Sequence, residues 1–353
     1  MTMLPADLPL LDVVPGQSTA APLPPDRPVR WGILATGGIA QAFATDLALL
    51  SEVEIAAVAS RRLESAQEFA AAHGVGKAYG AYAELVEDPE VDVVYVATPH
   101  ALHKEHTLLA LEAGKPVLCE KAITLREDDA ADLVAAARTL GLFLMEAMWM
   151  RCNPVIRRLQ QVLDSGAVGS VQQVRADLGF VVDRPPTDRL LDPALGGGVL
   201  LDMGIYPLTF AYLFLGEPTH VTATAAKSEA GIDVNLAVAQ SYDSGAVAAL
   251  TASMTGHTPR TASIATDRGV FELTNGFHHP TSATWTSSSG EVETLREPVI
   301  GTGLANEALE VVRCLRNGET QSPLVPLEDT VALMRQMDAI RDQIGVRYPG
   351  ERH

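Results

Sequence analysis

Between residues 29 and 146, short apolar runs alternate with stretches of helical periodicity, and this alternation constrains the fold more than any other feature. Strand-like runs occupy 29–34, 54–59, 91–97, 116–119 and 142–146. Helical periods occupy 39–50, 63–73, 102–113 and 127–140. Apolar runs separated by helix-length segments cannot pair as hairpins, so they imply parallel βαβ units and a doubly wound sheet. After about residue 150 the pattern changes. A helix over 154–165 is followed by runs rich in Val, Thr and Ala at 171–182, 220–227, 234–242, 246–254, 262–266 and 270–274. Asp243-Ser244-Gly245 and Asp267-Arg268-Gly269 read as tight turns between neighbouring runs, which implies antiparallel pairing. Helical segments at 304–317 and 327–344 finish the chain. The expected architecture is therefore α/β: an N-terminal doubly wound parallel sheet over 29–150, then an α+β domain over 151–353 on a large, mostly antiparallel open sheet. Residues 1–28, with seven prolines, read as an extended arm. An open sheet with few helices to cover it is expected to bury a face in a homodimer or homotetramer.

In a doubly wound sheet the first β-turn-α unit is the place for a dinucleotide fingerprint, G-x-G-x-x-G/A. The chain reads Ala35-Thr36-Gly37-Gly38-Ile39-Ala40. Gly37 stands where backbone approaches the pyrophosphate, and Ala40 is small enough for helix–strand packing. Ala35 departs from the first glycine. A tight turn serving no nucleotide is the alternative for this segment alone. The second strand distinguishes the nucleotide, because an acid at its end would bind the ribose of NAD. Here it ends in Ser60-Arg61-Arg62. A hydroxyl and guanidinium forks suit a 2′-phosphate, so NADP is expected over NAD, against a solvated surface pair as the alternative.

Thr98-Pro99-His100 and Glu120-Lys121-Ala122 each follow a parallel strand, at the edge where ligands bind in open α/β sheets. A lysine there can steer a hydroxyl proton and hold a negative oxygen; a plain surface lysine is the other reading. Further on, Gly196-Gly197-Gly198 opens a helix in which Asp202 and Tyr206, four apart, share a face. A tyrosine near a cation can relay protons, or its ring can simply be core. His100, His103 and His106 lack an accompanying acidic ligand motif, so no metal is expected; capping, cofactor contact or an ordinary surface role is expected of them, with His100 and His103 the candidates for cofactor contact.

Composition bounds the partners. Acidic residues outnumber basic ones 44 to 26, for a net charge of -18, which argues against nucleic acid and anionic membrane as partners. The apolar stretch 199–216 is interrupted by Asp202, Gly204, Pro207 and Thr209 and reads as a buried helix, not a membrane span. Cys119, Cys152 and Cys314 are too few and scattered for a disulfide framework. Together with the lack of a signal-peptide pattern, this leads to the expectation of a cytoplasmic protein.

These pieces, in this order, resemble the glucose–fructose oxidoreductase/inositol dehydrogenase (Gfo/Idh/MocA) family. The resemblance runs from Trp31-Gly32-Ile33 through Ala97-Thr98-Pro99, Cys119-Glu120-Lys121 and Met145-Glu146-Ala147-Met148-Trp149-Met150-Arg151. It continues through Gly197 to Tyr206 and ends at Ile344-Gly345-Val346-Arg347-Tyr348-Pro349. Glu146 to Trp149 with Tyr206 looks most like the dihydrodiol dehydrogenase and NADP-linked xylose dehydrogenase branch. The resemblance implies hydride transfer between NADP and a carbon of a sugar, polyol or diol. It implies Glu120 and Lys121 beside the nicotinamide, Lys121 positioning the reacting hydroxyl and Tyr206 as general acid/base. Asp202 would hold substrate or orient Tyr206, and Trp149, Arg151 and Phe180 would line the substrate cleft. Two alternatives sit on the same fold: a non-catalytic dinucleotide-binding regulator, and a glycosidase that recycles tightly bound NAD. Family members usually carry Pro after the lysine. Ala122 stands there, and since a non-proline cis bond costs about 2.5–4 kcal/mol, a trans peptide with a shifted ammonium is expected.

Overall fold

The computed structural model describes residue 4 and residues 21–349, so most of the 1–28 arm lies outside the described residues. The chain divides into two compact units. One comprises residues 21–152 and 300–331, the other 153–299 and 332–349.

The first unit is built on β1 (Val29–Leu34), α1 (Gly38–Leu47), β2 (Val53–Ala59), α2 (Leu63–His73), β3 (Lys77–Tyr79), α3 (Tyr82–Val86) and β4 (Val93–Val96). It continues with α4 (His103–Glu112), β5 (Val117–Glu120), α5 (Glu127–Leu140), β6 (Leu144–Ala147) and α6 (Trp149–Cys152). The six strands pair in parallel in the order β3-β2-β1-β4-β5-β6, with the reversal of direction of winding between β1 and β4. β4, β5 and β6 are buried at every position, as a sheet covered on both faces requires. The register aligns one row across the sheet: Leu34 with Ala59 and Val96, Val96 with Cys119, and Cys119 with Glu146. The residues just past this row form one carboxyl edge, which is where the signature segments fall. β3 and α3 are short and lie in sequence without clear periodicity, and sequence reasoning passed over them.

The second unit holds α7 (Pro154–Asp164), β7 (Val171–Gly179), α8 (Ile205–Leu215), β8 (His220–Lys227), β9 (Asp233–Ser241) and β10 (Val247–Ser253). It continues with β11 (Ala262–Thr266), β12 (Gly269–Leu273), β13 (Ala283–Ser287) and β14 (Val292–Leu295). The eight strands run in the order β14-β13-β12-β11-β7-β10-β9-β8, and every pairing is antiparallel except β7 with β10. β9 and β10 alternate buried with exposed residues along most of their length, so one face is packed and the other open. α8 packs against β7 and β10. The apolar stretch at 199–216 is thus a core helix, with Leu200 to Ala211 buried throughout. The strand expected over 171–182 ends at Gly179, and β13 and β14 were not anticipated, because their Thr- and Ser-rich sequence reads as loop.

The grouping differs from the expected 151–353 domain in one segment. α9 (Leu304–Arg316) belongs to the parallel-sheet unit, where it packs on α1 and α6. Asp46 at the end of α1 secures its entry by accepting from the Thr302 amide at 3.0 Å and the Ala305 amide at 3.1 Å. α10 (Leu327–Ile344) starts in this unit and ends in the other. Residues 21–28 of the arm are tied down in the parallel-sheet unit too. The Leu23 amide donates to the Leu315 carbonyl at 3.0 Å, and Arg27 and Arg30 both grip Asp92. Burial alone would raise the Asp92 carboxyl, but these guanidinium bonds bring it down to about 2.

Candidate active site

The glycine turn leaves β1 at Ala35, whose φ is +82°, a left-handed conformation that favours glycine. The backbone here is therefore that of the fingerprint although the residue is not. Gly37 caps α1 with φ -69° and ψ 179°, which any residue adopts, and no side chain caps the helix. A Cβ added at Gly37 or Gly38 would meet no protein atom within 4 Å. Neither conformation nor internal packing demands glycine at these two positions. What glycine leaves here is exposed backbone beside the free N–H groups of a helix N-terminus, an arrangement that suits a phosphate. Thr36 is half-buried beside them, Ile39 begins the helix, and Ala40 is fully buried. One strand over, Ser60 is half-buried while Arg61 and Arg62 are exposed; Arg62 donates to the Ser65 hydroxyl at 2.8 Å. These residues fit a dinucleotide, with phosphate at the turn and a further anionic group at Arg61.

The next two segments on the same edge are joined to each other by histidines. His100 sits in a short 3-10 turn capped by Pro99, and its Nε2 lies 3.1 Å from the Lys121 carbonyl. His103 is buried, with Nδ1 2.8 Å from the Ala122 carbonyl and Nε2 2.6 Å from the Thr98 carbonyl. His106 Nδ1 lies 3.0 Å from the Thr98 hydroxyl. His100 and His103 thus brace the strand-end turn after β4 against the turn after β5, while His106 holds the Thr98 side chain of the first turn. The Lys121–Ala122 peptide is cis, which corrects the trans bond expected from Ala122. The carbonyl of this peptide and the one after it are those that His100 and His103 hold, and Ala122 is fully buried.

Buried acids support that turn from below. Glu120 accepts from the Tyr95 hydroxyl and, at 3.2 Å, from the Lys121 amide. Glu146, at the end of the aligned row on β6, accepts from the Ile123 amide at 3.0 Å and the Thr330 hydroxyl at 3.1 Å. Its burial pushes the carboxyl up to about 7, against the opposing pull of those bonds and of Arg151 and Lys121. Glu307 on α9 is fully buried, and neither carboxyl oxygen has a hydrogen-bond partner among the described residues. Burial and the proximity of Glu120 and Asp46 push it well above the carboxylate range. Trp149 is half-buried on α6. Arg151, expected in a substrate cleft, is buried and its guanidinium is committed to Asp329 at 2.6 Å, so within this unit it is an internal ion pair.

The remaining expected residues belong to the other unit. Asp202 lies in a π-helical turn, Leu200–Gly204, that runs directly into α8. The Ile205 amide reaches back to the Leu200 carbonyl, the wide winding that often marks functional sites. Asp202 pairs with Arg189 at 3.2 Å. Tyr206 is 6% exposed, with its ring 4.8 Å from that of His278. His278 stands on a loop fixed by buried Phe277, whose ring packs 5.3 Å from Phe210 one turn along α8. Phe180, just past β7, is 37% exposed. Sequence reasoning missed Arg189 and His278, which no motif marks, and Glu307, which helical periodicity would have shown on the buried face of α9.

Comparison with known proteins agrees with this geometry. The profile of the oxidoreductase family with NAD-binding Rossmann fold matches residues 29–148, and that of the GFO/IDH/MocA C-terminal domain matches residues 156–272. The chain is 36% identical to trans-1,2-dihydrobenzene-1,2-diol dehydrogenase of Bos taurus over 92% of its length and 99% of the relative's. It is 37% identical to the enzyme of that name from Mus musculus, over 92% and 99%. Among solved structures, a 3-ketoreductase from Actinomadura kijaniata in complex with NADP and TDP-benzene superposes with a TM-score of 0.81. That match is at 28% identity and covers 90% of this chain and 98% of the other. With profiles matching in both units and relatives covering nearly its whole length, the chain belongs to the Gfo/Idh/MocA oxidoreductase family.

Proposed function

We propose that the protein is an NADP-dependent oxidoreductase that transfers a hydride between the nicotinamide and a carbon of a diol, polyol or sugar. The observation that carries the reading is the carboxyl edge of the parallel sheet. There a glycine turn with open backbone, Arg61 and the braced Lys121 turn follow one aligned row of strand residues. The diol dehydrogenases of similar sequence and the NADP-bound ketoreductase support the chemistry. That ketoreductase has also been crystallised as variants of a single lysine and of a single tyrosine, the two residue types proposed here as catalytic.

In this reading Thr36 to Ala40 hold the pyrophosphate on the α1 N-terminus, and Ser60, Arg61 and Arg62 take the 2′-phosphate. Thr98, Pro99, His100, His103 and Glu120 shape the nicotinamide end, the histidines by bracing backbone. The bound dinucleotide supplies the hydride acceptor or donor. Lys121 holds the reacting oxygen and favours its negative charge, while Tyr206 takes or gives the hydroxyl proton. Asp202 positions substrate or Tyr206 through its pair with Arg189, and Trp149 and Phe180 offer apolar contact. A spectrophotometric screen of NADP and NADPH against trans-dihydrodiols, aldoses, ketoses and inositols tests the reading. Turnover with any of these classes supports it; a chain that binds NADP and turns over none of them would be a dinucleotide-binding regulator. Tightly retained NAD with no net consumption of NADPH would instead indicate the glycosidase.

We also infer a homodimer or homotetramer through the open face of the eight-stranded sheet. Ala237, Ala239, Ala249 and Thr251 expose small side chains there, on the adjacent strands β9 and β10. Light scattering on the purified chain that returns a monomer at micromolar concentration overturns this.

A further inference from the structure

We propose that Asp233 is the positioning residue for Tyr206: it fastens the start of the Tyr206 helix to the first residue of β9. The inference rests on the reading of Tyr206 as the acid/base. Asp233 is fully buried, and its Oδ2 accepts from the Leu200 amide at 2.6 Å, at the first residue of the π turn. That amide is among those a helix N-terminus leaves without an internal partner, and here a carboxylate from the neighbouring strand supplies it. The same carboxylate shapes the segment before the helix. Gly198 has φ +135°, and a Cβ there would come within 2.4 Å of Asp233 Oδ1. The glycine is thus required both by backbone conformation and by the approach of Asp233.

Downstream the path to Tyr206 is short and closely packed. A Cβ on Gly204 would come within 3.3 Å of Leu200 Cδ1 and Leu236 Cδ2, and Leu236 lies on β9 with Asp233. The helix is therefore held on the strand at its first amide and again at Gly204, two residues before Tyr206. Displacing Leu200 would displace the phenol, and a shift of about 1 Å in a reacting group costs up to about 10²-fold in rate.

The test uses the full chain with ¹³C-labelled tyrosine. Seven tyrosines give a spectrum simple enough to assign Tyr206 from a Tyr206→Phe control. Asp233→Ala removes the anchor, whereas Asp233→Asn keeps an oxygen for the Leu200 amide. The expected result is a moved Tyr206 signal in Asp233→Ala and an unmoved one in Asp233→Asn. In turnover of trans-1,2-dihydrobenzene-1,2-diol with NADP, kcat should fall about 10–100-fold in Asp233→Ala, with KM for NADP unchanged, and stay near wild type in Asp233→Asn. An unmoved Tyr206 signal in Asp233→Ala overturns the proposal, as does a moved one in folded Asp233→Asn. If Asp233→Ala does not fold, Asp233→Leu, close in volume and without an acceptor for the Leu200 amide, takes its place: a moved Tyr206 signal supports the proposal and an unmoved one overturns it. Full activity of Tyr206→Phe would remove the acid/base reading while leaving the spectroscopic result standing.

Discussion

The two units hold their chemistry-bearing side chains by different means. In the parallel-sheet unit the Lys121 turn is braced by titratable groups: His100 and His103 on its carbonyls, Glu120 on its amide and Glu146 on the Ile123 amide. In the antiparallel unit Tyr206 and Asp202 ride on a helix seated by close backbone approach. Gly197 meets the Asp192 backbone, Gly198 meets Asp233, and one buried carboxylate serves as the anchor. The contrast teaches where each half is vulnerable. Changes of pH and charge should act most on the first, and changes of side-chain volume on the second.

The largest effect should come from removing the reacting groups themselves. Lys121→Met and Tyr206→Phe are each expected to lower kcat by about 10²–10⁴-fold while leaving NADP affinity, read by fluorescence titration, close to wild type. Equal loss of cofactor binding in both would erase the proposed division of labour.

Next comes the pH sensitivity of the first unit. The Glu146 carboxyl sits at about 7 when folded, above its ordinary 4.5. A raised acid contributes stability that is full below pH 4.5 and is lost as pH rises through about 7. Glu146→Gln should therefore gain on the wild type between those values, by on the order of 3 kcal/mol at pH 8. Glu307, raised in the same direction, leaves a further decline at higher pH. Urea unfolding at pH 5 and pH 8 measures this, and parallel pH profiles for the Glu146→Gln variant and the wild-type protein would contradict it.

The second unit should answer to volume. Gly198→Ala is expected to cost about 1–3 kcal/mol from backbone conformation alone, with the Asp233 contact adding to it, largely independent of pH. A thermal melt unchanged by this substitution would break the comparison at its other end. Smaller still is Arg61→Ala, which should weaken NADP about tenfold while barely moving NAD, the size of one charge-assisted hydrogen bond. Stronger stabilisation of the wild type by NAD than by NADP in a thermal shift would overturn the cofactor assignment. Smallest is Ala35→Gly, where relief of the left-handed φ should stabilise by about 1 kcal/mol.

Much of this is legible in the sequence. Both sheets followed from periodicity, because covered parallel strands read as apolar runs and half-covered strands as alternation. The Lys121 and Tyr206 segments followed from motif order. What stayed hidden depends on contacts between residues far apart in sequence. His103 reads as a helix residue, and nothing local says that its ring spans two backbone carbonyls. Arg151 reads as a cleft cation, and only the fold brings Asp329 to it across 178 positions. The reassignment of 300–331 was hidden for the same reason: an amphipathic helix declares that it has a buried face, never which sheet covers it.

That reassignment bears on how the protein is made. The parallel-sheet unit lacks α9, and with it the backbone partner of Leu23, until residue 316 has been synthesised. A ribosome that has finished all six parallel strands has not yet delivered the helix that covers α1 and α6. This half can close only after most of the other has been translated, so the N-terminal unit is not complete when its own sheet is. A chain stopped near residue 152 should need residues 300–331 grafted onto it before it behaves as a stable body.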